Sequence, residues 1–133
     1  MLGDVTGTGL APERIALLGV SQGACLALEF AARRAQRLGA VIGLSGGLIG
    51  ETVAWPPVDF RPLEGRPVLL GCSERDPHIS VGRVRETETV MRALGAEVVT
   101  HVYLGGGHGI NEDEVGLARQ ILARVLGADQ CVV

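Results

Sequence analysis

At 133 residues the chain has room for one ordinary domain. Hydrophobic residues make up 47% and charged residues 20%, which excludes a disordered chain. The formal net charge is −3, and the 12 basic residues, all Arg, form no block, so neither nucleic acid nor an anionic membrane is expected as partner. No apolar run approaches the ~18 residues of a membrane-spanning helix, and stable membrane insertion is not expected. Met1-Leu2-Gly3-Asp4 lacks the positive start of a signal peptide. Cys25, Cys72 and Cys131 are odd in number and show no C-x-x-C spacing. A reduced, cytoplasmic setting is therefore expected, with neither a disulfide framework nor a metal site.

Along the chain, short aliphatic runs alternate with helical segments. Arg14 to Val20 (RIALLGV) reads as a buried parallel strand. Gln22 to Leu38 reads as a helix, apolar from Ala24 to Ala32 and basic at its end, with Gly39 as its cap. Ala40 to Ser45 (AVIGLS) is a second strand, followed by a stretch without clear period from Gly46 to Arg66. Pro67 to Cys72 (PVLLGC) is a third strand. Ser80 caps a helix whose apolar positions Val81, Val84, Met91 and Leu94 share a face and which Gly95 ends. Glu97 to Leu104 (EVVTHVYL) is a fourth strand. Asn111 caps a last helix with Glu112, Asp113 and Glu114 in its first turn, an inward stripe of Val115, Ala118, Leu122 and Val125, and Gly127 at its close. The order β-α-β-loop-β-α-β-α predicts a single α/β domain, a parallel sheet of about four strands flanked by helices.

Two G-x-S-x-G matches occur, Gly19-Val20-Ser21-Gln22-Gly23 and Gly43-Leu44-Ser45-Gly46-Gly47. A nucleophile elbow needs a strand, a sharp turn that strains the serine, and then a helix. Ser21 has those surroundings, whereas Ser45 ends a strand and enters a loop. The flanking glycines are expected to remove Cβ atoms that would clash where helix packs on strand. A serine hydroxyl needs a base to take its proton, and the base needs a third group to orient it. Asp76 follows the third strand and His108 follows the fourth, which gives the order Ser, acid, His at successive strand ends. Asp59 and Glu74 are the competing acids. His78 is either a surface-turn residue or part of the pocket lining. Trp55 and Phe60 either floor an acyl or leaving-group pocket or anchor the long loop to the core. Cys25, one turn along the helix from Ser21, is expected to be a small buried thiol, and His101 to be packed within its strand or facing an edge.

Leu18-Gly19-Val20-Ser21-Gln22-Gly23-Ala24, Leu44-Ser45-Gly46, Arg75-Asp76-Pro77-His78-Ile79 and Tyr103-Leu104-Gly105-Gly106-Gly107-His108-Gly109-Ile110 together resemble the phospholipase/carboxylesterase family. These are small serine esterases and acyl-thioesterases of the α/β-hydrolase fold, related to the dienelactone hydrolases. The resemblance runs from about Ala11 to Leu126. It implies Ser21 as nucleophile, Asp76 as triad acid, His108 as base and the amide of Gln22 as an oxyanion donor. It also implies small ester, thioester or lysophospholipid substrates and no cofactor. The dienelactone hydrolases use Cys where this chain has Ser21.

Such enzymes carry several strands before the elbow, and a His-Gly motif there supplies a second oxyanion donor. Here the elbow comes at residue 21 and no His precedes it. The chain therefore resembles the C-terminal part of such an enzyme. Weak or absent activity is expected of it, with self-association through the unpaired edge of strand 14–20. The alternative reading is a non-catalytic α/β fragment that associates through that edge.

Overall fold

The computed structural model describes residues 11–33, 37–50, 56, 60–104 and 110–126. Expectations placed on Trp55, Asp59, His108, Gly127 and Cys131 lie outside these residues. The described chain forms a single turn of 3₁₀ helix, Pro12–Arg14, then β1 (Ala16–Val20), α1 (Gln22–Arg33), β2 (Ala40–Leu44), β3 (Pro67–Ser73), α2 (Val81–Ala93), β4 (Glu97–Tyr103) and α3 (Glu112–Leu126). The four strands lie in the order β1-β2-β3-β4 and every pair is parallel. The fold class read from the sequence is the one observed.

Both central strands are apolar along nearly their whole length because both of their faces are covered. β2 (AVIGL) is buried at all five positions. On one face, Leu28 and Ala31 of α1, Val84, Val90 and Met91 of α2 and Leu94, which caps α2, pack with Val41, Val68, Leu70 and Cys72. On the other, Ala118 and Leu122 of α3 pack with Ile42, Leu44 and Leu69. Each fully buried leucine of this kind contributes roughly 1.5–3 kcal/mol relative to an exposed one. α3 does not span the sheet. On its face, Leu18 and Val20 of β1, the edge strand among the described residues, stay 41% and 37% exposed.

Three sequence expectations shift. The first strand begins at Ala16, because Pro12–Arg14 is a 3₁₀ turn that seats buried Ile15 in the core. α1 spans Gln22–Arg33, and by Leu38 the chain has left the helix and entered the core. Gly39 is accordingly not its cap. Its N–H bonds the Ile15 carbonyl at 2.8 Å, and a Cβ there would lie 2.4 Å from the Glu13 carbonyl oxygen. The inward face of α2 also includes buried Thr87, a polar residue that hydropathy alone leaves out. Its hydroxyl donates to the Arg83 carbonyl and accepts from the Leu48 N–H, so it meets its hydrogen-bonding needs inside the core.

The caps match the sequence reading. Ser80 Oγ accepts from the Arg83 N–H at 3.1 Å, and Gly95, just past α2, takes the left-handed φ of 95° that its position requires. Asn111 Oδ1 accepts from the Glu114 N–H at 2.8 Å while Glu114 Oε1 accepts from the Asn111 N–H at 3.1 Å, a reciprocal capping box at the start of α3.

Candidate active site

The C-terminal ends of parallel strands are where open α/β sheets place their ligand sites. Ser21 sits there, between β1 and α1, with φ +58°. That left-handed conformation is unfavourable for a residue with a Cβ, by roughly 1–3 kcal/mol. The turn is held on both sides. The Ser21 N–H donates to the Leu44 carbonyl of β2 at 2.8 Å, and its own carbonyl accepts the Cys25 N–H at 3.1 Å, starting α1. Gln22 follows as the first residue of α1 and is exposed. Helix geometry leaves its N–H without an intrahelical partner, facing the positive end of the helix dipole.

The two glycines of the motif differ. A Cβ on Gly19 would lie 2.2 Å from the Gly23 carbonyl oxygen and 2.5 Å from the Ala24 nitrogen, so only glycine lets α1 pack this close to β1. A Cβ on Gly23 would meet nothing within 4 Å. The steric need read into both glycines thus holds for the first and not the second.

The second motif carries a strained serine too. Ser45, at the end of β2, has φ +59° and is 2% exposed. Its N–H donates to the Gly71 carbonyl of β3 at 2.7 Å. No helix follows. Residues 46–49 run as a strap between α1 and α2. The Leu48 N–H is held by Thr87 Oγ1, the Leu48 carbonyl by Arg83 Nη1 at 3.0 Å, and the Ile49 N–H by Glu29 Oε1 at 2.7 Å. The strained turn is therefore not confined to the serine that precedes a helix.

Asp76 lies in the turn after β3 and is 9% exposed. Its Oδ1 accepts from the His78 N–H at 2.8 Å, and its own N–H bonds the Ser73 carbonyl at 3.2 Å, so the carboxylate is fixed by its own turn. Glu74, the competing acid, is exposed, and its N–H bonds the Tyr103 carbonyl at 2.7 Å, which joins the ends of β3 and β4.

An open cleft of about 410 Å³ is lined by Ser21, Gln22, Cys25, Ser45, His78 and Ile79. It brings together the expected Ser21, Gln22 and His78, and adds Cys25 and Ser45. Phe60 is half-buried and packs against the larger core cluster rather than lining this cleft. Cys25 is only partly buried, with its thiol free. His101 sits on edge strand β4, its Nδ1 3.9 Å from Asp113 Oδ2.

Beneath the ends of β2 and β3, the Glu114 carboxyl is 2% exposed. A Cβ on Gly71 would lie 2.1 Å from its Oε2, and among the described residues that oxygen has no hydrogen-bond partner. Burial raises the carboxyl above its ordinary pKa; the Asn111 N–H opposes this, Asp113 adds to it and His101 opposes it. The N-x-x-E spacing that encodes the capping box was legible in the sequence; the burial was not. Among the described residues no three His, Cys, Asp or Glu side chains gather as a metal site.

A family model described as phospholipase/carboxylesterase matches residues 2–126. Acyl-protein thioesterase 1 of Gibberella zeae is 30% identical over 122 residues, covering 90% of this chain and 51% of that protein. The crystal structure of a phospholipase/carboxylesterase from Dyadobacter fermentans superposes with TM-score 0.81 at 35% identity, covering 91% of this chain and 58% of that one. Esterase PE8 superposes with TM-score 0.73 at 30% identity, covering 94% and 57%. The chain thus spans about half the length of the relatives it matches.

Proposed function

The chain belongs to the phospholipase/carboxylesterase family, and from that membership we propose that it is a serine hydrolase of small esters or thioesters with Ser21 as nucleophile, His108 as base and Asp76 as the acid that orients the base. The observation that carries this reading is the left-handed turn at Ser21, between a parallel strand and a helix, on the wall of an open cleft.

In the proposed cycle the His108 imidazole takes the Ser21 hydroxyl proton as the oxygen attacks the acyl carbonyl. The negative charge that develops on the carbonyl oxygen is met by the Gln22 N–H, in the first turn of α1, where the helix dipole is positive. Collapse of the tetrahedral species breaks the bond to the alcohol or thiol, which leaves with the proton from His108. Water, deprotonated by the same imidazole, then attacks the acyl-serine and regenerates the hydroxyl. Asp76 serves this cycle by holding one imidazole tautomer, and a carboxylate fixed by its own turn suits that role. The cycle uses no cofactor, and we take it to run in the cytoplasm.

The test is covalent labelling with a fluorophosphonate. Labelling that Ser21→Ala abolishes in a folded protein is the expected result; labelling that survives this change sinks the reading.

A second reading concerns assembly. Among the described residues β1 is an edge strand, with its own Leu18 and Val20 exposed, a combination that invites pairing with another chain. We propose self-association through this edge. Light scattering is expected to show a mass above one chain, reduced by Leu18→Lys; a monomer at every concentration refutes it.

A further inference from the structure

The strap of residues 46–49, and the side chains that hold it, take no part in the proposed reaction. Gly46, Gly47 and Leu48 are buried, where backbone N–H and C=O groups need partners within the protein. Side chains grip the strap at three points. Thr87 Oγ1 accepts from the Leu48 N–H at 3.0 Å, Arg83 Nη1 donates to the Leu48 carbonyl at 3.0 Å, and Glu29 Oε1 accepts from the Ile49 N–H at 2.7 Å. The grips come from both helices of one face, α1 and α2. Two of them use a charged side chain, the stronger kind of hydrogen bond. Two are braced in turn: Thr87 Oγ1 donates to the Arg83 carbonyl at 2.8 Å, and Glu29 pairs with Arg33.

The start of the strap bears on the elbow. A Cβ at position 46 would lie 2.8 Å from the Ser21 carbonyl oxygen and 3.1 Å from the Cys25 nitrogen. Those two atoms form the hydrogen bond that starts α1. The Ser21 carbonyl and the Gln22 N–H belong to one planar trans peptide group. A rotation of that plane that displaces the oxygen therefore turns the N–H through the same angle. The residue before the plane is held at φ +58°, and a conformation of that kind persists only where its surroundings over-determine it. Gly46, fixed by the strap, is one of those surroundings.

We propose that Glu29, Arg83 and Thr87 are positioning residues: by holding the strap against the Ser21 carbonyl they fix the direction of the Gln22 N–H, the oxyanion donor. The assignment rests on the reading of Ser21 as nucleophile and Gln22 as donor. It gives α2, which carries no residue of the proposed triad, a part in the reaction through Arg83 and Thr87.

Two pairs of variants of the full chain test this. Thr87→Val and Glu29→Leu each remove a grip, whereas Thr87→Ser and Glu29→Gln keep an oxygen that can accept the same N–H. The rate of fluorophosphonate labelling, kcat and KM for p-nitrophenyl acetate, and Tm are measured, the kinetics at a temperature where every variant compared is folded. An oxyanion donor acts on the transition state, so kcat should fall and KM should not move. Removing such a donor outright costs ~10²–10³ in kcat; a misdirected one should cost roughly three- to tenfold, in labelling rate as well. Thr87→Ser and Glu29→Gln should stay within about twofold of the parent on the same scale. Should Thr87→Val not fold, the Glu29 pair decides, since Glu29 lies at the edge of the strap and not in the core. Unchanged kcat and labelling in the grip-removing variants, even with a lowered Tm, would overturn the inference: the grips would then only stabilise. A raised KM at unchanged kcat would overturn it too, because the strap would then meet the substrate and not the peptide. Both of these results leave Ser21 as nucleophile. Absence of Ser21 labelling in the parent chain removes the nucleophile and this assignment together.

Discussion

The ends of β1 and β2 are near-copies in sequence and backbone, yet they do different mechanical work. Each strand closes with Gly-x-Ser, each serine takes φ close to +60°, and each donates its N–H to a carbonyl of the next strand. After Ser21 the chain enters α1, so the serine stands at a helix N-terminus. After Ser45 it enters the strap of residues 46–49, and the serine stays buried. A strained serine at a strand end is thus a property of the turn. The segment leaving the turn, helix or strap, decides whether the hydroxyl meets positive helix-end potential or the wall of a cleft.

Substitutions that add one methyl group probe this contrast. Gly19→Ala should be the most damaging, because its Cβ would collide with backbone at 2.2 Å and backbone cannot rotate away. A loss of about 3 kcal/mol or more is expected, read by urea unfolding, and a loss below about 1 kcal/mol would show that α1 is less tightly seated than described. Gly46→Ala would meet the Ala24 side chain at 2.6 Å and the Ser21 carbonyl at 2.8 Å. A smaller cost, about 1–3 kcal/mol, should come with slower fluorophosphonate labelling, because the strap would lift from the elbow. Unchanged labelling would uncouple the two turns. Gly23→Ala meets nothing within 4 Å and replaces glycine inside a helix, so a gain of about 0.5–1 kcal/mol is expected. A net loss there would show that the second glycine of the motif has a steric duty after all.

The smallest effect depends on pH and belongs to the β2 end alone, where Gly71, the acceptor for the Ser45 N–H, lies against the buried Glu114 carboxyl. Burial raises that carboxyl above its ordinary value of 4.5, so the folded chain binds the proton more tightly than the unfolded chain. This contribution to stability is complete below the ordinary value and is lost as pH rises through the raised one. Glu114→Gln keeps the shape and cannot ionise. Relative to the parent, its Tm should therefore climb as pH rises from about 4 to about 8. A difference that stays constant across that range excludes the carboxyl as the source.

Most of the fold was legible because the first three strands carry compact aliphatic runs, the fourth carries valines among polar residues, and turn-forming or polar residues follow the runs. Which face each side chain takes was not legible. In β2 and β3 apolar residues occupy both faces, so no alternation distinguishes the α1–α2 side from the α3 side. The first helix reads too long because the helix-favouring run through Arg33 and Arg34 carries no mark of the pull that draws Leu38 and Gly39 into the core. For the site, Ser21 was readable because its motif falls between a strand-like and a helix-like segment. The turn at Ser45 escapes a reading that requires the motif to precede a helix. Thr87 escapes because its burial depends on a partner, the Leu48 N–H, that is 39 residues away.

The three backbone bonds at the upper ends of the strands have a collective consequence. Ser21 hangs from Leu44, Ser45 from Gly71, and Glu74 from Tyr103, each bond spanning 2.7–2.8 Å. Each exit is thereby moored to the neighbouring strand, like treads on one stair. A displacement at any step is passed sideways, and the rim of the sheet behaves as one cooperative body. In hydrogen–deuterium exchange, the amides of Ser21, Ser45 and Glu74 should consequently open together, although more than fifty positions separate the first from the last.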